Sequence, residues 1–269
     1  MKSSVKDATR EQRFAFGVNW SRFLDTITDE RIKGAEKALK DMLQIVNLTE
    51  KNFLDIGSGS GLSSLAARRL GARVHSFDFD PMSVSCTKEL RKRYFPTDSN
   101  WIVDKGSVLD TGYLKSLGQF DIVYSWGVLH HTGAMWQALE NVCSLVRPGG
   151  QLFLAIYNDQ RWISSYWSFI KLIYNKYPRF RGIVILFHVP YLYGLRYCYR
   201  ILTGRRRLER GMSLWHDMID WLGGYPFEVA KPEEVFEFCS KHGLILVKLK
   251  TCGGRHGCNE FVFRLASTS

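Results

Sequence analysis

The sequence predicts an α/β chain built on a doubly wound, mostly parallel sheet. Three observations carry this. Short apolar runs alternate with helical stretches between residues 52 and 157. The first run, Phe53-Leu-Asp55-Ile, ends in the turn Gly57-Ser-Gly59-Ser-Gly61. The second run ends in Asp78, seventeen residues after Gly61. A strand, a glycine-rich turn, a helix and a second strand ending in an acid open a nucleotide-binding βαβ unit. The glycines let backbone N–H groups approach the ligand, and the acid accepts from ribose hydroxyls.

Each element has its own signal. Residues 1–13 form a polar tail, and residues 13–24 are aromatic-rich, with Phe14, Phe16, Trp20 and Phe23. Residues 29–48 place Ile32, Ala35, Leu39, Met42, Leu43 and Val46 on one side of a helix. Strands fall at 52–56, 73–78, 101–105, 120–125 and 151–157. Helices fall at 62–70, at 82–93 behind Pro81, and at 133–146. Residues 160–230 then interrupt the alternation. A helix at 232–242, a strand at 244–250, a turn at Gly253-Gly254 and a strand at 260–265 close the chain. The division is an N-terminal helical segment, 1–49, that covers the site, a core of 50–159 and 231–269, and a helical insert, 160–230, as a lid.

Composition narrows the class. A chain of 269 residues, 45% hydrophobic, can bury a full core. The cysteines at 86, 143, 198, 239, 252 and 258 include no C-x-x-C pair, which reads as reduced thiols. The first residues lack an apolar signal-peptide core, so a cytoplasmic location is expected. The net charge of +11 is concentrated: residues 161–210 hold eleven Lys/Arg against Glu209, and twelve of the 37 aromatic residues. Residues 182–195 are the longest apolar run, 14 residues with Pro190 inside, too short to span a bilayer.

The glycine spacing separates two ligand classes. G-x-G-x-x-G would seat a pyrophosphate on a helix N-terminus. Here the pattern is G-x-G-x-G, with Asp55 two residues before it, which suits a cationic ligand better than a diphosphate. The segment resembles motif I of the class I S-adenosylmethionine-dependent methyltransferases. Three further stretches agree in order and spacing. Residues 120–131, Phe-Asp-Ile-Val-Tyr-Ser-Trp-Gly-Val-Leu-His-His, resemble the family's fourth strand and following loop. Arg147-Pro-Gly-Gly150 with the run to Ile156 resembles its helix stop and fifth strand. Gly106-Ser-Val-Leu-Asp110 resembles its adenine-contacting turn. Together they cover residues 50–158 and are similar to the small-molecule branch that includes the ubiquinone-pathway methyltransferases.

The resemblance implies a Rossmann-like sheet of about seven strands, the last antiparallel, and S-adenosyl-L-methionine as cofactor. It assigns Asp55, Gly57, Ser58, Gly59 and Gly61 to the methionine side. Asp78 would take the ribose hydroxyls, Phe79 would lie on adenine, and Ser107 and Val108 would meet the adenine edge. Many relatives carry an acid at the position of Ser107, a departure that weakens the adenine amino contact. Ser125 and Trp126 would face the methyl group. For Asp55 and Asp78 the plainer alternatives are a capping carboxylate and a surface acid.

His130 and His131 lie just past the fourth strand, at the edge where such sheets bind ligands. A histidine can take a proton from a hydroxyl or ring N–H. Relatives favour the second of such a pair, hence His131, with a structural role for both as the alternative. Tyr157 and Asn158, past the fifth strand, would line the acceptor pocket. Cys252, His256 and Cys258 fit no common zinc spacing, so no metal is expected and a turn covering the site is the better reading.

The expected function is methyl transfer to a small, apolar or lipid-linked acceptor, with O-, N- or C-transfer left open. The basic aromatic insert fits a lid, peripheral contact with an anionic membrane, a nucleic-acid groove, or a packed insert with a solvated basic face. Its aliphatic run 183–189 disfavours nucleic acid. An RNA or peptide methyltransferase and a non-catalytic cofactor-binding subunit are the alternatives. Oligomeric state is not legible in the residues.

Overall fold

The computed structural model describes residues 17, 20, 24, 27–203 and 214–267. The expectations for residues 1–13, for Phe14, Phe16 and Phe23, and for the Arg205–207 cluster lie outside these.

In chain order the core elements are α1 (Asp29–Leu43), β1 (Asn52–Ile56), α2 (Leu62–Arg69), β2 (Arg73–Asp78), α3 (Pro81–Tyr94), β3 (Trp101–Lys105), α4 (Thr111–Leu117), β4 (Phe120–Trp126), α5 (Met135–Cys143) and β5 (Val146–Tyr157). The insert follows as α6 (Trp162–Lys176), α7 (Arg181–Val189), a π-helical turn (Pro190–Leu195), α8 (Arg196–Thr203) and α9 (Leu214–Gly223). Helix α10 (Pro232–Lys241), β6 (Leu244–Lys250) and β7 (Cys258–Leu265) complete the core. The sheet order is β3-β2-β1-β4-β5-β7-β6. Strands β1 to β5 pair in parallel, and β7 runs antiparallel to both β5 and β6. The order reverses between β1 and β4, so the strand C-termini open a crevice there.

Apolar packing covers both faces. Ile32 and Leu39 of α1, Leu65 and Ala66 of α2, and Val84 and Leu90 of α3 pack on one side with Phe53, Val74 and Trp101 of the sheet. On the other, Leu114 of α4, Ala138 and Leu139 of α5, and Val235 and Cys239 of α10 cover Leu54, Phe77, Val123 and Leu154. The small residues Ser64, Ala66 and Ala67 of α2 are buried and let that helix lie close on β1. Helix α3 starts where Asp80 accepts Met82 N–H and Pro81 occupies the first turn, as its sequence predicts.

Four expectations need correction. The first helix stops at Leu43, where Gln44 takes the left-handed conformation (φ 56°), so Val46 lies beyond it and is 80% exposed. Helix α4 was not anticipated; Asp110 caps it by accepting Tyr113 N–H at 3.0 Å. The helix expected over 133–146 is the shorter α5, and a 3-10 turn at Leu129–His131, which was not anticipated, precedes it. Strand β5 starts at Val146, not 151, so Arg147-Pro-Gly-Gly150 is a bulge inside a strand.

That bulge explains part of the motif pattern. Asp121 is buried at the start of β4, accepts Asn52 N–H at 2.9 Å, and is paired with Lys51 and Arg147. Both cations are about half exposed, at 50% and 47%, so solvent screens them and the backbone bond carries most of the contribution. A Cβ at Gly150 would sit 2.9–3.0 Å from the carbonyls of Phe120, Asp121 and Arg147. Asp121 and Gly150 therefore hold the strand N-termini, far from the crevice. Asp121→Ala strands a backbone donor and should cost about 1–3 kcal/mol of stability. Urea denaturation checks this, and an unchanged midpoint would count against the latch.

Candidate active site

The turn after β1 has its three glycines at φ 74°, 54° and 82° for Gly57, Gly59 and Gly61, a region L side chains rarely adopt. A Cβ on Gly57 would fall 2.5 Å from Val128, and one on Gly59 would press the Trp20 ring at 3.1 Å. Val128 of the β4 loop and Trp20 thus lie close over the turn, and Gly17 N–H donates to Asp80 at 2.8 Å. Ser58 is buried and shares a 2.9 Å hydroxyl bond with Thr87.

Asp55 lies beneath this turn, 1% exposed. Ser64 donates to its Oδ2 at 2.5 Å, Ser64 and Ser76 hydroxyls are 2.7 Å apart, and Trp101 Nε1 donates to Ser76 at 2.9 Å. An indole N–H only donates, so the bonds run one way, from Trp101 through Ser76 and Ser64 to Asp55. Burial pushes the Asp55 carboxyl up to about 7; the Ser64 bond opposes this, and the nearby charge of Asp78 adds to it.

Asp78, at the end of β2, accepts Gly59 N–H and Asp80 N–H, each at 2.9 Å, one on each oxygen. Burial raises it to about 6 against those two bonds. Phe79 beside it is 44% exposed. Gly106 N–H donates to Asp78 O at 3.0 Å, which brings the Ser107 turn alongside. Val108 turns its side chain into the core, and its carbonyl is taken by Asn141 at 2.9 Å. Ser125 is fully buried at the end of β4, and its Oγ has no hydrogen-bond partner among the described residues. Trp126 is half-buried and pairs in register with Ala155.

The two histidines differ. His130 is fully buried, and its Nδ1 accepts Tyr157 N–H at 3.2 Å while its ring lies 3.8 Å from that of Tyr157. It ties the β4 loop to β5. His131 is half-buried, with Nδ1 at 2.7 Å from Pro226 O. A carbonyl requires Nδ1–H, so the lone pair is on Nε2. Burial pushes its conjugate acid down to about 3; the Pro226 bond opposes this, and Lys171 lowers it further. His131 is therefore a fixed, neutral and weak base.

Several residues that pack around Tyr157 or against its neighbours were not anticipated. Lys171 of α6 is fully buried, bonds to Trp221 O, and lies 4.3 and 4.8 Å from the ring centroids of Trp221 and Phe227. Trp221 and Phe227 stand 5.6 and 5.3 Å from Tyr157. His256, from the β6–β7 turn, meets Trp167 and Trp221 at 5.8 and 5.4 Å. A signal existed for Lys171: it shares one helix face with Trp167 and Tyr174, four before and three after. Asn158 is engaged by Asn259 at 2.9 Å. Cys252 donates to Arg255 O at 3.1 Å within its turn, and no group of three His, Cys, Asp or Glu among the described residues could hold a metal.

A model of the methyltransferase domain matches residues 28–194, more than half of the chain, and the chain belongs to that family. A ubiquinone biosynthesis O-methyltransferase of Coxiella burnetii is 28% identical over 120 residues, covering 45% of this chain and 49% of that protein. The match thus spans about half the length of this curated relative. A magnesium protoporphyrin IX methyltransferase from Synechocystis PCC 6803, solved with SAM, superposes with a TM-score of 0.58 at 11% identity, over 98% of this chain and 99% of that one. A 1,6-didemethyltoxoflavin-N1-methyltransferase from Burkholderia thailandensis gives 0.54 at 14%, over 99% and 92%. These two likenesses establish the fold.

Two pH effects follow. Asp55 holds a proton in the folded state that the unfolded chain releases near pH 4. It therefore costs stability increasingly as the pH rises from about 4 to about 7. Asp55→Asn should melt above the wild type at pH 8, with the gap closing toward pH 4; calorimetric scans in the ligand-free state decide it. His131 has the opposite sense: its contribution is present above about pH 6.5 and is lost as the pH falls toward 3. Nitrogen-15 NMR should show neutral, Nδ1-protonated His131 at pH 5. An imidazolium signal there would contradict the assignment.

Proposed function

We propose that the chain transfers a methyl group from S-adenosylmethionine to a small, apolar or lipid-linked acceptor. The observation that carries this is the pair of elevated carboxylates, buried Asp55 and half-buried Asp78, around a glycine turn whose residues 55–64 include no Lys or Arg. Phosphates would find no countercharge in that segment, whereas a ligand bearing ammonium and sulfonium charges would favour the ionised form of both acids. The close roof over Gly57 and Gly59 and the unpartnered Ser125 hydroxyl fit a ligand of this kind.

When bound, the cofactor supplies a sulfonium-activated methyl group. Asp78 would hold the ribose hydroxyls, since each of its oxygens keeps a lone pair beyond its backbone bond. Phe79 offers a face to adenine, and the Ser107–Val108 backbone offers its edge. Asp55 acts from below, setting the field under the methionine side of the Gly57–Gly61 turn. The 1–49 segment serves as a cover through Trp20. Tyr157, Trp221, Phe227 and His131 wall the acceptor side, which keeps water from the transfer, and alignment there supplies much of the rate.

His131 can accept a proton at Nε2, but so weak a base suits an acceptor that ionises readily. Lys171 behind the aromatic wall favours the same kind of acceptor, by its field on developing negative charge. The similarity to a ubiquinone biosynthesis O-methyltransferase supports a small organic acceptor and oxygen as the first atom to test. The soluble, cytoplasmic setting of such an enzyme is part of the same proposal.

Asp78→Ala should weaken S-adenosylhomocysteine binding by about tenfold or more in titration calorimetry, the loss of two ribose bonds. NADH should leave the melting temperature unchanged, and a clear shift with NADH would overturn the cofactor assignment. Once an acceptor is found, His131→Ala should lower turnover, by less than the about 10²–10⁴-fold of a base poised near the working pH, while cofactor affinity survives. An equal loss from His130→Ala alone would reverse the two roles.

A further inference from the structure

Among the described residues, 23 large apolar side chains are exposed, and fourteen of them lie between residues 162 and 202. The rest are scattered along the chain, as on any soluble surface. Within the insert they are outward residues of helices whose inner faces are already packed. Trp167 and Tyr174 of α6, Val184 of α7, and Met218 and Leu222 of α9 form a core of their own. On the outer side, Trp162 and Phe169 of α6 are 75% and 59% exposed, Leu186 and Phe187 of α7 72% and 75%, and Leu202 of α8 85%. An apolar surface of this extent marks a contact site.

The charge around it selects the partner. Residues 160–208 include no Asp or Glu. Lys176, Arg179 and Arg181 are exposed, and each cation lies 5.3–5.6 Å from the ring of Tyr177, Phe180 or Tyr174. Cationic heads on apolar or aromatic supports can reach outward while their stems cover apolar surface. A second copy of the chain would bring the same positive charge against itself. A nucleic acid could stack on the exposed rings, but it would leave Ile183, Leu186, Leu195, Ile201 and Leu202, each more than half exposed, without an apolar partner. Among the described residues, no helix is long and apolar enough to cross a membrane.

We propose that this outer face of α6–α8 docks on the surface of an anionic phospholipid bilayer. Leu186, Phe187 and their neighbours enter the headgroup–acyl boundary, and the Lys and Arg heads stay among the lipid phosphates. The surface is separate from the glycine turn and does not depend on the identity of the reaction.

The test is flotation of the full chain with phosphatidylcholine vesicles, with and without phosphatidylglycerol, at low and high salt. Binding should be strong on the anionic vesicles at low salt, weaker on neutral ones, and reduced by salt. Leu186→Ser with Phe187→Ser should weaken it by at least about tenfold, because two largely exposed side chains lose their apolar burial. Arg179→Gln with Arg181→Gln should flatten the preference for anionic lipid. Unchanged melting temperature and S-adenosylhomocysteine affinity would show that both variants are folded. Failure of the wild type to float with anionic vesicles would overturn the proposal, as would binding that neither variant alters. A gel shift with total tRNA without vesicle binding, or self-association lost in the Leu186/Phe187 variant without vesicle binding, would reassign the face.

Discussion

A carboxylate sealed under a turn is an unfavourable thing to build, and the cofactor half of this molecule is arranged around that cost. Asp55 sits at the end of a central strand with almost no water access, and its carboxyl is held near neutral titration. Ser64, Ser76 and Trp101 come from three different elements, α2, β2 and β3, to supply it with a directed run of hydrogen bonds. Those bonds fix the separation of α2 from the sheet, and the separation in turn demands small residues at Ser64, Ala66 and Ala67. The turn above can then place Gly59 N–H on Asp78, so the second acid is located by the first element. An unsatisfied buried acid in such a place would be a liability, whereas one completed by a cationic ligand becomes a source of selectivity.

The acceptor half depends on a different kind of joint. The segment that returns from the insert is stitched to the carboxyl edge of the sheet by hydrogen bonds that involve backbone groups. Pro226 O meets His131, Glu228 N–H donates to His130 O, Ala230 N–H donates to Tyr157 O, and the Glu228 carboxylate accepts Met135 N–H at the start of α5. These bonds bring Trp221, Phe227 and Lys171 against Tyr157. They also explain why adjacent histidines have unequal parts: His130 points inward to brace β5, and His131 points across to the returning segment. The pair is a hinge of the architecture as much as a chemical feature.

Legibility followed the range of the interaction. The strand–turn–helix pattern depends on local rules, so the glycine turn, Asp78, Pro81 at the start of α3 and the closing strands could be read from residue order. Helix α4 was missed because its apolar positions are few and its start depends on Asp110, which a motif had already assigned to a turn. The bulge at Arg147–Gly150 was read as a helix stop because proline and glycines stop helices too; only the buried Asp121 across the sheet tells the two apart. Residue order puts Asp55 beside the glycine turn, but its partners Ser76 and Trp101 are 21 and 46 positions away, and nothing local joins them. Lys171, Trp221, Phe227 and His256 meet only in the fold.

The boundary of the family match gives that division a further meaning. It spans residues 28–194, which include the glycine turn, Asp78, both histidines, Tyr157 and Lys171. Trp221 and Phe227, which pack on Tyr157, and His256, which packs on Trp221, lie beyond it. The turn and the two acids proposed to hold the cofactor therefore lie within the family pattern. The acceptor wall is completed by parts that the family pattern does not specify, attached through backbone bonds that accept many side chains. Such an arrangement lets one turn and one pair of acids serve different acceptors. The chemistry that distinguishes this chain from its relatives should therefore be sought around Trp221, Phe227 and His256, in the segments that carry them beyond the match.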